Sequence, residues 1–355
     1  MANPLVSICV PTYNRAAALR ESLKSICGQD YAPLEILISD NCSEDETEQV
    51  CREIARADPR IRYVRQPRNI GLYGNHNFCI EESRGEFLGL FHDHDERSTQ
   101  IVSEHVAFLR RHPDVGVVCS DWELIDETGQ VIGVRDWHVK PVTPGLEYIN
   151  QTMRSGRSSI GIPGALIRRS ALGAIRFDEK GPIGFGDFVL WFQLAERASV
   201  GHIPKRLWRW RQQRHSQSAR TIESLTHDYF LNLSGYCDAH LARWPEHADL
   251  VARWKADIRR YLFWALAFEI GLHFRNASVA TSRRSHPLTL FEILDYRLSP
   301  EEFQRARQQL RVYRTGPVQS AVYLVISLLM RLKLTWPLAW ATYHYSSLRG
   351  LLGLR

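Results

Sequence analysis

The sequence predicts an α/β fold: a mostly parallel sheet with flanking helices, joined to an all-helical C-terminal extension. Three observations predict it. Between Leu5 and Ser120, short apolar runs alternate with segments of helical period, which is the signature of repeated β-α units. Polar, chemically capable residues recur just after the strand-like runs, where ligands bind in open α/β sheets. After about Ala219 the strand pattern ends and only helix-period segments follow.

Taken in order, Leu5–Val10 is a short apolar strand and Arg15–Cys27 a helix with Leu19, Leu23 and Ile26 on one face. Leu34–Ser39 is a second strand, leading into Asp40-Asn41-Cys42-Ser43. Ser43 with Glu46 has the spacing of a capping box for a helix over Glu44–Ala57. Ile61–Arg65 (strand), Gly71–Ser83 (helix), Glu86–Phe91 (strand), Gln100–Arg111 (helix) and Val115–Ser120 (strand) continue the alternation. From Asp121 to Pro182 the pattern loosens, with a hairpin turn at Glu127–Gln130. Asp187–Arg197 is helical, and Lys205–Arg211 is a basic, aromatic strand. Ile222–Arg243, Ala248–Phe274 and Pro300–Val312 are long helical candidates. The expected division is an α/β domain over 1–219, a helical extension over 220–314 and a basic, apolar tail over 315–355.

The placement of charge says more than its total of +6. From Phe303 onward there are eight basic residues and no acidic one, while the preceding residues hold 37 basic and 39 acidic groups. A body without excess positive charge argues against nucleic acid as a partner. The tail suits an anionic surface such as a membrane. Its uncharged stretches Thr315–Met330 and Leu334–Leu348 fall short of a straight bilayer span. Trp336, Trp340, Tyr343 and Tyr345 fit a helix lying in the interface, and an apolar helix packed on the protein is the other reading. Seven scattered cysteines with no C-x-x-C read as reduced thiols. With no basic leader segment at the start, the expected location is the cytoplasm, peripheral on the cytoplasmic face of the membrane.

Asp93-His94-Asp95 follows the fourth strand. Alternation along an extended segment would point Asp93 and Asp95 the same way, able to hold a hard divalent cation that also binds diphosphate oxygens. An acidic loop in solvent is the plain alternative. A metal site built on His92 and His94 is another, disfavoured because extended alternation turns those rings away from the aspartates. Thr12 and Tyr13, in Pro11-Thr12-Tyr13-Asn14-Arg15, offer hydroxyls and an aromatic face to a base and ribose. Asp40 could accept a pyrimidine N3–H or cap the next helix. Neither G-x-G-x-x-G after the first strand nor G-x-x-x-x-G-K-[ST] is present, so dehydrogenase and P-loop readings lack their phosphate cradles.

Val6–Arg15, Glu35–Thr47, Arg68-Asn69-Ile70-Gly71 with Asn75 to Asn77, and Gly85-Glu86-Phe87 leading to Asp93-His94-Asp95 together resemble a family 2 glycosyltransferase, over about residues 5–218. The resemblance implies a nucleotide-diphospho-sugar-binding domain of the GT-A type. It implies a nucleoside pocket at Pro11, Thr12 and Tyr13, with Asp40 on the base and Arg68 near nucleotide or phosphate. Arg15, Asn69 and His94 belong to the same donor-binding set. Asp93 would meet ribose or metal, and Asp95 would hold Mg²⁺ or Mn²⁺. Gly184-Phe185-Gly186-Asp187 occupies the place of the family's acidic dyad, with glycine where the first acid is common. Asp187 is therefore the expected general base; a helix N-terminal acid is the alternative. Trp208–Arg211 leading to His215-Ser216-Gln217-Ser218 is similar to the segment that closes the family's donor site, with His215 on metal or diphosphate.

The implied activity is a single in-line displacement with inversion, from a UDP- or dTDP-sugar to a saccharide or lipid-linked acceptor hydroxyl, in surface polysaccharide or glycolipid synthesis. A nucleotidyltransferase is the first alternative, but Pro11–Asn14 is not its Gly-rich basic loop. A non-catalytic, membrane-associated relative is the second, hinted at by Gly186.

Overall fold

The structure, a computed structural model, describes residues 2–212, 222–262, 308, 311 and 317–331. Contacts divide the chain into two compact units, Met1–Thr152 with Ser158–Gln213, and Met153–Arg157 with Arg214–Arg355. The boundaries expected near 219 and 314 lie outside the described residues.

The first unit begins β1 (Val6–Thr12), α1 (Ala16–Cys27), β2 (Leu34–Asp40), α2 (Thr47–Ala57), β3 (Ile61–Arg65), α3 (Leu72–Glu82) and β4 (Phe87–Leu90). Every residue of β1 is buried, as a strand covered on both faces requires. α1 buries Leu19, Leu23 and Ile26, spaced by about one helical turn each. Each such aliphatic side chain contributes roughly 1.5–3 kcal/mol when taken out of water. β5 (Glu96–Arg97), α4 (Ile101–Arg111), β6 (Val115–Ile125), β7 (Val131–Arg135), β8 (Val142–Thr143), α5 (Gly145–Ser155), β9 (Leu166–Arg168), α6 (Arg169–Leu172), α7 (Gly186–Ala195) and β10 (Ser199–Arg211) complete it.

The sheet runs β3-β2-β1-β4-β9-β6-β10-β5, with β7 on β6 and β8 on β10. β1 pairs in parallel with both β2 and β4, β2 with β3, and β6 with β10. β9 is antiparallel to β4 and to β6, so the whole is a mixed sheet with flanking helices. The expected hairpin turn at Glu127–Gln130 joins β6 to antiparallel β7. β10 starts at Ser199, ahead of the Lys205 expected from composition, because its first half pairs with β6.

The chain runs outward from β1 to β2 to β3 and then returns to place β4 on the other side of β1. This reversal is a topological switch point, and it opens a crevice beyond the carboxyl ends of β1 and β4. The capping box expected at Ser43 and Glu46 is not formed. The Ser43 hydroxyl accepts the Asn14 N–H at 2.9 Å, and Asn14 Oδ1 accepts the Glu44 N–H at 2.8 Å. Thr47 Oγ1 accepts the Arg15 N–H at 3.0 Å. Ser43, expected to cap α2, instead joins Thr47 and Glu44 in tying the loop after β2 to the loop after β1.

In the second unit, the helix Ile222–Arg243 buries Tyr229, Leu233, Tyr236 and Cys237. A helical run over 248–262 buries Val251, Trp254, Ile258 and Leu262. Tyr229 meets Tyr261 at a ring separation of 5.0 Å, and Trp254 meets His240 at 4.9 Å. A further helix, Pro317–Arg331, corresponds to the first uncharged tail stretch. The parts of the candidates Ala248–Phe274 and Pro300–Val312 beyond 262, 308 and 311, and the stretch Leu334–Leu348, lie outside the described residues.

Candidate active site

The floor of the crevice is built where β1 and β4 end. Thr12, the last residue of β1, donates its hydroxyl to Asp93 Oδ2 at 2.7 Å. The other oxygen of that carboxylate lies 3.0 Å from His94 Nδ1. Asp93 and His94 form a turn, so the extended geometry expected for His92–Asp95 does not hold. The cause is a set of buried donors behind the loop. Arg97 Nη1 donates to the carbonyls of His92 at 3.1 Å and Asp95 at 2.9 Å. Ser22 Oγ donates to the same two carbonyls, at 3.2 and 2.8 Å. Arg97 is held in turn over the Phe91 ring, 4.4 Å from its centre.

Closing the turn separates the two aspartates. Asp93 points back to Thr12, while His92, His94 and Asp95 bring one ligand-type atom each within 4.8 Å of one another. Asp95 is fully buried, and its Oδ2 has no hydrogen-bond partner among the described residues. His92 Nδ1 stands 3.5 Å from that oxygen, and His94 Nε2 stands 3.7 Å from Oδ1. The Arg211 N–H donates to Oδ1 at 2.9 Å. A buried carboxylate with one orphaned oxygen, bordered by an imidazole nitrogen at each of its two oxygens, is a donor set that fits a divalent cation. Two expectations are corrected: Asp93 is outside this group, and the histidine rings turn toward Asp95.

Burial pushes the Asp93 carboxyl up, but the hydrogen bonds from His94 and Thr12 and the charges of His94 and Arg15 outweigh it and hold the group below the usual range. Asp95 is likewise held low, burial being overcome by His94, His92 and Arg97. His94 is raised: burial opposes its charge, and the two aspartates prevail.

Around this centre the other expected donor residues divide. Pro11 and Thr12 are buried at the end of β1, Tyr13 is 42% exposed at the crevice edge, and Arg15 is half-buried near the Asp93 charge. Arg68 and Asn69 are exposed, and Asn69 Oδ1 accepts from Asn41 Nδ2 and the Gly71 N–H, both at 2.9 Å. Asp40 departs from expectation: it is fully buried, accepting the Ser43 N–H at 2.9 Å and the Tyr63 hydroxyl at 2.9 Å. One of its oxygens serves the loop that follows β2 and the other serves Tyr63 on β3, because a buried carboxylate must be satisfied where it sits. His215 lies outside the described residues.

Asp187 stands in the first turn of α7, after Phe185 in a left-handed conformation with φ 64°. Burial raises its carboxyl to about 6, against the weaker pull of the backbone N–H groups of Phe188 and of Asp187 itself. The Tyr73 hydroxyl accepts the Gly186 N–H at 3.1 Å and donates to the Ile183 carbonyl. A run of rings leads from there toward the cation site: Tyr73 stacks on Phe177 at 4.8 Å, Phe177 meets His76 at 5.4 Å, and His76 meets His92 at 6.4 Å. Tyr73 and His76 lie one turn apart on α3, so a single helix face borders both carboxylate centres.

Ser22, Tyr73 and Arg97 carry no signal in the sequence, and Arg211, which lies in the segment expected to close the donor site, has no local mark of its bond to Asp95. Each acts on a group 70 or more residues away, except that Arg97 also reaches its near neighbours, and no local pattern marks such partners. For His92, adjacency to Asp93 was a signal, but the assumption of an extended loop concealed it.

Residues 7–175 match Glycosyl transferase family 2. The uncharacterized protein y4gI of Sinorhizobium fredii is 30% identical over 215 residues, 59% of this chain and 22% of that protein. The GalNAc(5)-diNAcBac-PP-undecaprenol β-1,3-glucosyltransferase of Campylobacter jejuni is 39% identical over 94 residues, 26% of this chain and 30% of that enzyme. The chain thus spans less than a third of the length of these two curated relatives. Among solved structures, residues 1–349 of Staphylococcus aureus TarS in complex with UDP-GlcNAc superpose with a TM-score of 0.59 at 17% identity, covering 92% of both chains. Mannosyltransferase PcManGT from Pyrobaculum calidifontis, in complex with GDP-Man and Mn²⁺, gives 0.53 at 19% identity, covering 92% of this chain and 87% of that one. These structural likenesses bear on the fold, which is of the GT-A type, and the sequence match bears on the region it covers: through residues 7–175, this chain is similar to the family 2 glycosyltransferases.

Proposed function

We propose that the protein is an inverting, cation-dependent glycosyltransferase that moves a sugar from a nucleotide-diphospho-sugar to an acceptor hydroxyl. The observation that carries this reading is the pairing of two unlike carboxylate centres along α3. One is the His92–His94–Asp95 group, with its orphaned oxygen. The other is Asp187, whose carboxyl burial has raised to about 6. A low-pKa ligand carboxylate and a raised-pKa base in one region are suited to different tasks.

Asp95, His94 and His92 would hold Mg²⁺ or Mn²⁺, with Asp93 orienting His94 from behind. Bound there, the cation would neutralise charge on a departing nucleoside diphosphate. Asp187 accepts the proton of the acceptor hydroxyl as the acceptor oxygen bonds to the anomeric carbon. The bond from that carbon to the diphosphate oxygen breaks, and the nucleoside diphosphate leaves from the opposite face. Tyr13, exposed at the crevice edge, offers a ring for a base, while Thr12, Arg15, Arg68, Asn69 and His94 line the donor side. Asp40, bonded to Ser43 and Tyr63, supports the pocket wall. Holding both substrates in line supplies the rest of the acceleration.

The donor reading is supported by the nucleotide sugars in the TarS and PcManGT complexes. A UDP- or dTDP-sugar is the proposed donor. The proposed acceptor is a saccharide or lipid-linked glycan at the cytoplasmic face of a membrane, in surface polysaccharide or glycolipid synthesis. The Campylobacter relative is named for an undecaprenol-diphosphate-linked acceptor. The helix Pro317–Arg331 exposes Leu324, Val325 and Leu328 in a segment without acidic residues. No helix among the described residues is long and apolar enough to cross a membrane. The proposed organisation is a transferase domain over 1–219, a helical extension over 220–314 and an interfacial tail over 315–355.

The test is a panel of UDP-, dTDP- and GDP-sugars with the full chain, with and without Mn²⁺. A metal-dependent rise in melting temperature with one donor, accompanied by its slow hydrolysis, is expected. No response to any donor would sink the reading.

A further inference from the structure

We propose that Tyr73 is a positioning residue for Asp187: its hydroxyl pins the turn that opens α7, and position 186 is glycine because the phenol occupies the space a side chain there would need. The inference rests on the reading of Asp187 as the base.

The turn is one that needs holding. Phe185 immediately precedes α7 at φ 64°, a region that a residue with a side chain adopts only when its surroundings impose it. The Tyr73 hydroxyl engages the backbone on both sides of Phe185, donating to the Ile183 carbonyl and accepting the Gly186 N–H at 3.1 Å. The ring is itself fixed, stacked on Phe177 with an interplanar angle of 10°, and Tyr73 is 8% exposed. Asn77, one turn further along α3, anchors the backing strand of chain by donating to the Phe177 carbonyl and accepting its N–H, both at 2.9 Å. A Cβ on residue 186 would lie 2.6 Å from Tyr73 Cζ and closer still to the hydroxyl oxygen. Ring and glycine therefore fit only as a pair. The next residue is Asp187, so the direction of its carboxylate follows from where this turn is held.

A role confined to stability would lower the folded fraction and leave the active molecules unaltered. The positioning role predicts otherwise for Tyr73→Phe, which keeps the stacked ring and removes both hydrogen bonds. Hydrogen exchange on the full chain is expected to speed up at least tenfold at the amides of residues 185–188 and little elsewhere. With UDP-GlcNAc and GDP-mannose as donor probes, kcat is expected to fall about tenfold or more at a donor KM within twofold of wild type. The acidic limb of the kcat profile should move away from its wild-type position. Gly186→Ala should act in the same direction, and its effect should shrink in a Tyr73→Ser background, where the ring is gone. Wild-type exchange at 185–188 together with an unmoved limb in Tyr73→Phe would overturn the proposal, as would a harmless Gly186→Ala. Wild-type turnover by Asp187→Asn, by contrast, would remove the base assignment itself, while the exchange data would still report whether Tyr73 holds the turn.

Discussion

His94 Nδ1 lies 3.0 Å from Asp93 Oδ1, and this contact leaves His94 Nε2 as the ring nitrogen facing Asp95, 3.7 Å from its Oδ1. A carboxylate behind an imidazole sets the tautomer and the direction of a ligating histidine. Asp93→Asn is therefore expected to weaken Mn²⁺ binding by about 10- to 100-fold, and Asp95→Asn to weaken it further. Imidazole ligands favour transition metals over Mg²⁺, so His92→Ala should narrow the preference for Mn²⁺ over Mg²⁺. Calorimetric titration of the full chain with each ion measures both effects. Unchanged Mn²⁺ affinity in Asp93→Asn would show that His94 is not oriented in this way.

The raised carboxyl of Asp187 makes a prediction about rate. A base with a pKa of about 6 is protonated below that value, so kcat should rise with pH through it and level off above. Asp187→Asn should lower kcat by roughly 10²- to 10⁴-fold and abolish the limb. A pH–rate profile with saturating donor checks both.

The same shift carries a stability cost whose sign can be worked out. Folding raises the Asp187 pKa from 3.8 to about 6, so the folded state binds the proton more tightly than the unfolded chain. Its contribution to stability is therefore most favourable below the unfolded pKa and is lost as pH rises through the folded one. At pH 7 ionised Asp187 penalises the fold, and Asp187→Asn should stabilise it by about 1–3 kcal/mol, with the gain vanishing near pH 4. Denaturant melts at the two pH values decide it; equal effects would mean that the carboxyl is not desolvated.

Arg97 lies behind the cation site, and burial lowers its pKa to about 10, with Asp95 and Asp93 opposing, so it stays charged at neutral pH. Arg97→Met would strip a donor from two buried carbonyls and a cation from two buried carboxylates. A loss of about 3–5 kcal/mol is expected, as for breaking a buried charge arrangement. If Arg97→Met melts like wild type, the turn at Asp93-His94 is held by something else.

The tail makes a prediction about surfaces. Its four basic residues, Arg331, Lys333, Arg349 and Arg355, have no acidic residue among them, and each contributes about 1 kcal/mol of attraction near an anionic bilayer. Full-length chain should co-sediment with vesicles containing phosphatidylglycerol and release as salt rises; a chain ending at Arg314 should bind less. Equal binding by both would refute the membrane role.

By itself the sequence determined the alternation of strands and helices, the apolar faces that bury Leu19, Leu23 and Ile26, and the order of motifs after each strand. Those features depend on neighbours along the chain, through period and propensity, and so can be read locally. The tertiary structure alone decided where side chains point once the chain leaves a strand. Ser22 and Arg97 close the loop after β4 and gather His92 with Asp95; the loop after β1 takes the Ser43 hydroxyl away from the expected helix cap; Ser43 and Tyr63 occupy Asp40; and Tyr73 fills the space at Gly186. In each case the deciding partner is distant in sequence or stands where no period operates. Buried polar groups take whichever partner the fold brings within reach, and proximity of that kind exists only once the sheet has assembled.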